Sequence, residues 1–347
     1  MKVKSAFLLV CVCLSINIST FAAEIPNEVK IKAVDNPNDF HFVVMGDRTG
    51  KEEKGVFEQI INKVNIMSPA FVVSVGDNIQ GYTLDANSAN KMWDEYDALI
   101  SKLNVPFLKT AGNHDISNEM MADVYQKRFG SPYYFSVYKN VLFLFVTTDD
   151  PYLAALDGKS SKELDKEKQK LKQMAVTQGI TPQSLMQLKK YEEKHRNVNG
   201  GRISDAQFEY FNQVLADYNN VRWTFVIMHK PLWKESAPPE NWVKIENLLK
   251  NRPYTVFAGH EHINAYSSRN NRDYIIMSGS GAGGVPKIVA GVYQHILWVT
   301  MNDKEPAIAN LMADGILEKN YIISRNPDPN KMDVKKMIQE YEGTAKK

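Results

Sequence analysis

Five short runs rich in Val, Ile and Phe each end at a polar cluster carrying carboxylate, amide or imidazole groups. This recurrence constrains the fold of the 347-residue chain more than any other feature. Phe42 to Met45 leads into Gly46-Asp47-Arg48-Thr49, Phe71 to Val75 into Gly76-Asp77-Asn78, and Val105 to Leu108 towards Gly112-Asn113-His114-Asp115. Trp223 to Met228 runs into His229-Lys230-Pro231, and Tyr254 to Ala258 into Gly259-His260-Glu261-His262. Such runs, bounded by turn residues, are read as strands. Between them Val56, Phe57, Ile60, Ile61 and Val64 recur at helical spacing, as do Trp93, Tyr96, Leu99, Ile100 and Leu103. Strands alternating with helices predict an α/β fold, and open α/β sheets gather their ligand sites at the carboxyl ends of strands.

Further elements are predicted by the same signals. Ser204 with Gln207 forms a capping box opening a helix through Leu215, and Pro239 to Leu249 is a second helix. Late strands are expected at Tyr274 to Met277, Tyr293 to Thr300 and Ala307 to Met312. The stretch 157–196 breaks the alternation: it is rich in Lys, Glu and Gln and offers no strand. Its leucines mark two helices, the second capped by Thr181 with Pro182 as first helical residue. It reads as a helical charged insertion, either a solvated surface feature or a lid. Residues 326–347, after Pro327 and Pro329 a Lys-rich helical stretch, read as a peripheral tail.

Residues 1–23 have the form of a secretory signal peptide: a basic start at Lys2 and Lys4, an apolar run from Ala6 to Ile16, and small residues before cleavage after Ala22 or Ala23. The run is shorter than the ~20 apolar residues that span a bilayer, and no later segment reaches that length. The expectation is export, to a bacterial periplasm or beyond, with a domain over residues 24–325. Losing Lys2 and Lys4 brings the 42 basic residues level with the 40 acidic ones, so net charge gives no reason to expect nucleic acid as a partner. Nor does anything point to a protein partner.

Both cysteines, Cys11 and Cys13, leave with that leader, so any metal must be held by His, Asp, Asn or Glu. Asp47, Asp77, Asn113, His229, His260 and His262 supply such a set at strand ends, and these donors suit Mn, Fe or Zn. His41, His195 and His295 lie outside the clusters and read as structural.

The order Gly-Asp, Gly-Asp, Gly-Asn-His-Asp, His, Gly-His-x-His resembles the calcineurin-like metallophosphoesterase superfamily, in particular its purple-acid-phosphatase-like and exported bacterial branch. The likeness runs from Asp47 to His262 and continues into the glycine-rich stretch Ser278 to Gly284. It implies a four-layer α/β/β/α sandwich of two mixed sheets with a dinuclear metal site at one edge. It also implies that Asp77 bridges two divalent or mixed-valence ions, that Asp47 and His262 complete the first, and that Asn113, His229 and His260 complete the second. His114 corresponds to the histidine facing the leaving group, with Asp115 orienting its ring. The implied reaction is hydrolysis of phosphomonoesters or phosphodiesters by a metal-bridging hydroxide, with a small-molecule phosphate ester as substrate.

Two positions depart from that pattern. Many relatives read Asp-x-His in the first block, whereas this chain has Thr49, which leaves the first metal weakly held, completed by water, or completed by another side chain. Purple acid phosphatases place a ligating Tyr three residues after the second Asp. Here that position is Gln80, with Tyr82 two residues later; each is read either as a ligand, Gln80 through its amide oxygen, or as a loop residue beside the site or facing substrate. Arg48 is read either as a phosphate clamp or as half of a structural ion pair. Trp233 and Tyr82 are candidates for stacking on substrate or for loop packing. The competing functional reading is a metal- or ligand-binding protein without efficient catalysis. The Asn113-His114-Asp115 block argues against it.

Overall fold

The structure, a computed structural model, describes residues 36–151, 161–177, 181–187, 200–286 and 289–315. The leader and the tail expected at 326–347 lie outside these. Strands β1 (Phe40–Met45), β2 (Phe71–Ser74) and β3 (Phe107–Leu108) run parallel; β10 (His295–Met301) pairs antiparallel with β1, and β11 (Pro306–Met312) antiparallel with β10. The first sheet therefore has the order β11-β10-β1-β2-β3. The second has the order β4-β5-β6-β7-β9-β8, from β4 (Tyr134–Tyr138), β5 (Val141–Val146), β6 (Trp223–Met228), β7 (Tyr254–Ala258), β8 (Ala265–Arg269) and β9 (Arg272–Ile276). Its four central strands are parallel and its edge strands antiparallel.

Strands β2, β5, β6 and β7 are buried on both faces, which is why they read as unbroken apolar runs rather than alternating ones, whereas the edge strands β4, β8 and β11 are partly or largely exposed. In β1, Val43 and Met45 face helices α1 (Val56–Met67), α2 (Ala86–Ile100) and α3 (Glu119–Phe129), while Phe42 and Val44 face the second sheet. In β5, Leu142, Leu144 and Val146 meet α5 (Asp205–Asp217) and α6 (Glu240–Leu249), while Phe143 and Phe145 face the first sheet. Between the sheets Phe42 meets Phe143 and Phe225 edge-on at 5.3 and 5.0 Å. The result is the expected four-layer α/β/β/α sandwich.

The β4–β5 hairpin has no Asn-Gly signal; it turns through Lys139 and Asn140, both left-handed at φ 44 and 59°. The capping box at α5 is only half made. The Gln207 N–H donates to Ser204 Oγ at 3.1 Å, but the Gln207 side chain turns inward and pairs with the Thr147 N–H and carbonyl, both at 3.0 Å. It therefore ties α5 to the end of β5 instead of closing the cap. In the insertion, α4 spans Ser161–Thr177, and residues 182–187 form a further turn of helix capped by Thr181, whose Oγ1 accepts the Ser184 N–H at 3.1 Å. Among the described residues no helix is long and apolar enough to cross a membrane.

Candidate metal centre

The parallel strands of both sheets deliver their carboxyl ends to one edge. Asp47 lies two residues beyond β1, Asp77 three beyond β2, and Asn113 in the loop after β3, all from the first sheet. His229 directly follows β6, and His260 and His262 lie in the loop after β7, both strands of the second sheet. Two ligand triads result, Asp77-His229-His260 and Asp47-Asp77-His262, each with one donor atom per residue and all within 4.8 Å of one another. They share Asp77. Asn113 joins the first of these triads, its Oδ1 lying 3.0 Å from His229 Nε2.

Three of these ligands hold left-handed backbone conformations: Asp77 at φ 53°, His260 at 70° and His262 at 55°. Non-glycine residues pay roughly 1–3 kcal/mol for strained backbone, and such strain gathers at functional sites. Gly76, at φ 106°, makes the turn into Asp77 possible; a Cβ there would stand 2.8 Å from His229 Nδ1 and 2.9 Å from the Gly112 nitrogen.

Backbone carbonyls fix the imidazoles. His229 Nδ1–H donates to the Val75 carbonyl at 3.0 Å, and His262 Nδ1–H to that of Gly283 at 2.6 Å. In both rings Nε2 is left to face the carboxylates, at 3.2 Å from Asp77 Oδ1 for His229 and 3.1 Å from Asp47 Oδ2 for His262. The glycine-rich stretch wraps the same loop: Gly46 N–H donates to Ser280 Oγ, and Ser280 and Ala282 N–H both donate to the Asp47 carbonyl.

The electrostatics show what the site lacks without a cation. Burial opposes charge on His229, but Asp77, with Asp47 and Asp149 behind it, outweighs burial and holds the ring up at about 9. His262 is likewise raised, burial being overcome by its hydrogen bond to Asp47. Burial would raise Asp77, yet His229 and His114 hold it well below the usual carboxylate range. His260 is driven down to about 3 by burial and by the positive charges of His229 and Lys230, so it stays neutral and ready to ligate. The proton on His229 thus occupies the place of metal charge. Metal binding must expel it, so affinity should rise with pH up to about 9, by about tenfold per pH unit for that proton. Titrating metal-free protein with Mn²⁺ at pH 6 and pH 8 checks this; equal affinities at both would contradict it.

The residues fit a dinuclear centre. Asp47 Oδ1 is buried with no hydrogen-bond partner, a state that costs on the order of 1–3 kcal/mol or more unless a cation or water meets it. The donors are carboxylate, amide and imidazole, which suits Mn, Fe or Zn. Thr49 does not substitute for the histidine of relatives. Its buried hydroxyl points into the backbone, 3.0 Å from the Asp77 carbonyl and 2.9 Å from that of Ile79. The first metal is therefore left with three of the named side chains.

Several sequence expectations need correcting. Asp115 does not orient His114: Asn78 and Ile79 N–H donate to its Oδ1 at 2.9 and 3.0 Å, and Gly112 N–H and Asn78 Nδ2 to its Oδ2, both at 2.8 Å. It braces the Asp77 loop against the Asn113 loop. The His114 ring is instead held by the Gln80 carbonyl, which accepts Nδ1–H at 2.7 Å, so His114 Nε2 faces Asp77 Oδ2 at 3.7 Å. Gln80 thus serves the site through its backbone, and the residue itself is exposed. Arg48 is the structural ion-pair alternative, not a clamp. Its guanidinium donates to the Asn78 carbonyl and to Glu52 Oε1, both at 3.1 Å, and lies over the Phe57 and Tyr96 rings. Trp233 is buried against Tyr274, packing rather than stacking on a ligand. His295 accepts the Ser278 N–H at 2.9 Å and is structural, as read; His195 lies outside the described residues.

The sequence reading missed Asp149. It follows β5, whose run Val-Leu-Phe-Leu-Phe-Val ends in the polar stretch Thr147 to Asp150 and carries the same strand-end signal as the other five. Asp149 Oδ1 accepts from Lys230 Nζ at 2.6 Å, with the two side chains 13% and 4% exposed, directly beside His229. Burial would raise this carboxyl; Lys230 outweighs it and lowers it.

Residues 38–264 match the sequence model of the calcineurin-like phosphoesterase family. No curated protein sequence matches the chain significantly. Among solved structures, a dimetal phosphatase from Danio rerio is similar with TM-score 0.52 at 13% identity, over 79% of this chain and 96% of that one. GAP50, the anchor in the inner membrane complex of Plasmodium, gives TM-score 0.50 at 13% identity, over 80% and 86%. The purple acid phosphatase PPD1 of yellow lupin, Lupinus luteus, gives 0.50 at 14%, over 80% of this chain and 52% of the plant chain. At such identities the likeness is one of fold. The family match covers the stretch from β1 to the last ligand, His262, and the chain belongs to the calcineurin-like phosphoesterase family.

Proposed function

We propose that this chain is an exported, metal-dependent phosphoesterase acting on small phosphomonoesters or phosphodiesters. The observation that carries the reading is the pair of triads joined by Asp77, with His114 Nε2 directed at the same carboxylate. When bound, the two ions would supply Lewis acidity and a hydroxide nucleophile near neutral pH. The chain's own part is positional and protonic. Asp77 spans both ligand sets, and the Val75 and Gly283 carbonyls keep His229 and His262 in the ligating tautomer. With His114 Nδ1–H fixed on the Gln80 carbonyl, Nε2 is the ring atom that passes a proton to the leaving oxygen. The leader-like residues 1–23 support export, and sequencing the amino terminus of the secreted protein, expected to begin at Ala23 or Glu24, tests it.

The test of the activity uses p-nitrophenyl phosphate and its bis ester with Mn- or Fe-loaded protein. Turnover of at least one is expected, and metal-loaded protein inert towards both would sink the enzyme reading. His114→Ala should lower kcat by about 10²- to 10⁴-fold while metal content stays at the wild-type value. Loss of metal in that variant would instead make His114 a ligand. The same assay decides the competing reading, a binding protein of this fold without turnover, which rests on the three-residue first metal set and on Thr49 facing the backbone.

A further inference from the structure

We propose that Tyr82 is a positioning residue that holds the Asn113 amide for the second metal and the His114 ring for the leaving group, so that one loop sets both. Asn113 Nδ2 donates to the Tyr82 hydroxyl at 2.6 Å while its Oδ1 lies 3.0 Å from His229 Nε2. The amide is therefore gripped at its far end, and its oxygen is turned into the cluster of donors around Asp77. The same phenol ring meets the His114 ring in a T-shaped contact, with centroids 4.5 Å apart and planes at 73°.

The loop that carries Tyr82 is stitched to the Asn113 loop by further hydrogen bonds. His114 Nδ1–H donates to the Gln80 carbonyl at 2.7 Å, Tyr82 N–H to Ser117 Oγ at 3.2 Å, and Asn118 Nδ2 to the Thr83 carbonyl at 2.9 Å. Tyr82 sits at φ 52°, a left-handed conformation that a bulky aromatic residue rarely adopts, directly after Gly81 at φ 59°. An arrangement this strained persists only where its surroundings over-determine it. Here what the strain secures is the position of the phenol between the amide and the imidazole. A hydroxyl can donate or accept, so Tyr82 fixes the amide in place and a bound cation selects oxygen as its inward end. Groups that hydrogen-bond a metal ligand in this way typically change affinity about 10- to 100-fold when removed.

The metal part of this proposal stands without any turnover; the His114 part rests on the phosphoesterase reading. Metal-free wild type, Tyr82→Phe, Asn113→Ala and the double variant are titrated with Mn²⁺ by calorimetry, with thermal unfolding of each metal-free protein as a control. Tyr82→Phe keeps the ring and removes the hydroxyl. It should weaken one of the two sites about 10- to 100-fold, leave the other site and the unfolding midpoint at wild-type values, and add nothing further in the Asn113→Ala background. At saturating metal, Tyr82→Leu, which loses the ring as well as the hydroxyl, should lower kcat further than Tyr82→Phe does. Wild-type affinity at both sites, equal weakening of both, or additive losses in the double variant would each overturn the proposal. Absence of turnover in every protein, wild type included, would instead overturn the function proposed above and leave the calorimetric result to decide Tyr82.

Discussion

Replacing Asp77 with alanine should remove both metal ions in a single substitution and lower phosphoester hydrolysis by about 10³-fold or more. The expectation follows from sharing. Asp77 contributes an oxygen to both triads, whereas Asp47, His260 and His262 each belong to one. A carboxylate held well below its usual range by His229 and His114 is fully ionised at neutral pH, so its removal takes a full negative charge from between the two positions. Metal ions contribute several kcal/mol to stabilising the charge of a phosphoryl transition state, and each ~1.4 kcal/mol lost is about tenfold in rate. Elemental analysis by mass spectrometry separates the outcomes: Asp77→Ala should carry neither ion and Asp47→Ala one. Two ions retained in Asp77→Ala would show that the carboxylate is not the bridge.

The second large effect concerns stability. Asp149→Ala leaves the Lys230 ammonium, 4% exposed, without its 2.6 Å partner, and breaking a buried pair from one side typically costs about 3–5 kcal/mol. The Asp149→Ala/Lys230→Met double variant should recover most of that loss, since no buried charge remains. Urea unfolding of the metal-free proteins measures both. A single variant within about 1 kcal/mol of wild type would mean that water reaches the ammonium, as it does at exposed pairs. The sign with pH is fixed by the lowered carboxyl: its contribution is present above the usual carboxylate range and is lost as pH falls through the depressed value.

How much of this was readable in the chain depends on what each residue answers to. Strands β1, β2, β6 and β7 were legible because a fully buried parallel strand must be apolar on both faces, and because its ligand follows within three residues. The six candidate ligands could be singled out for a related reason: a metal selects side-chain type, and type is what a sequence displays. Asp115 was misassigned, and Arg48 and Gln80 were each left between two readings, because their roles depend on direction. Asp115 is adjacent to His114 in the chain, yet its carboxylate points the other way, into the backbone of residues 78, 79 and 112. The Gln80 contribution is a carbonyl, which every residue has, so no choice of side chain could announce it. The β4–β5 hairpin escaped because its turn places Lys and Asn where glycine usually marks the spot.

The division of ligands between the sheets has a mechanical consequence. Asp47, Asp77 and Asn113 hang from the first sheet and His229, His260 and His262 from the second, so an ion held by either triad would span the seam between the two sheets. Along the rest of that seam nonpolar packing, centred on Phe42, Phe143 and Phe225, is joined by hydrogen bonds between the sheets, among them those from the Tyr134 hydroxyl to the Lys109 carbonyl and from the Arg222 guanidinium to the Asn38 and Asn302 carbonyls. A bound ion acts there as a clasp at the open margin of a book. At a hundred times its dissociation constant each adds about 2.7 kcal/mol against opening. Loading and unloading of metal therefore grades how tightly the two halves are shut, and chelation should loosen the molecule first along this margin.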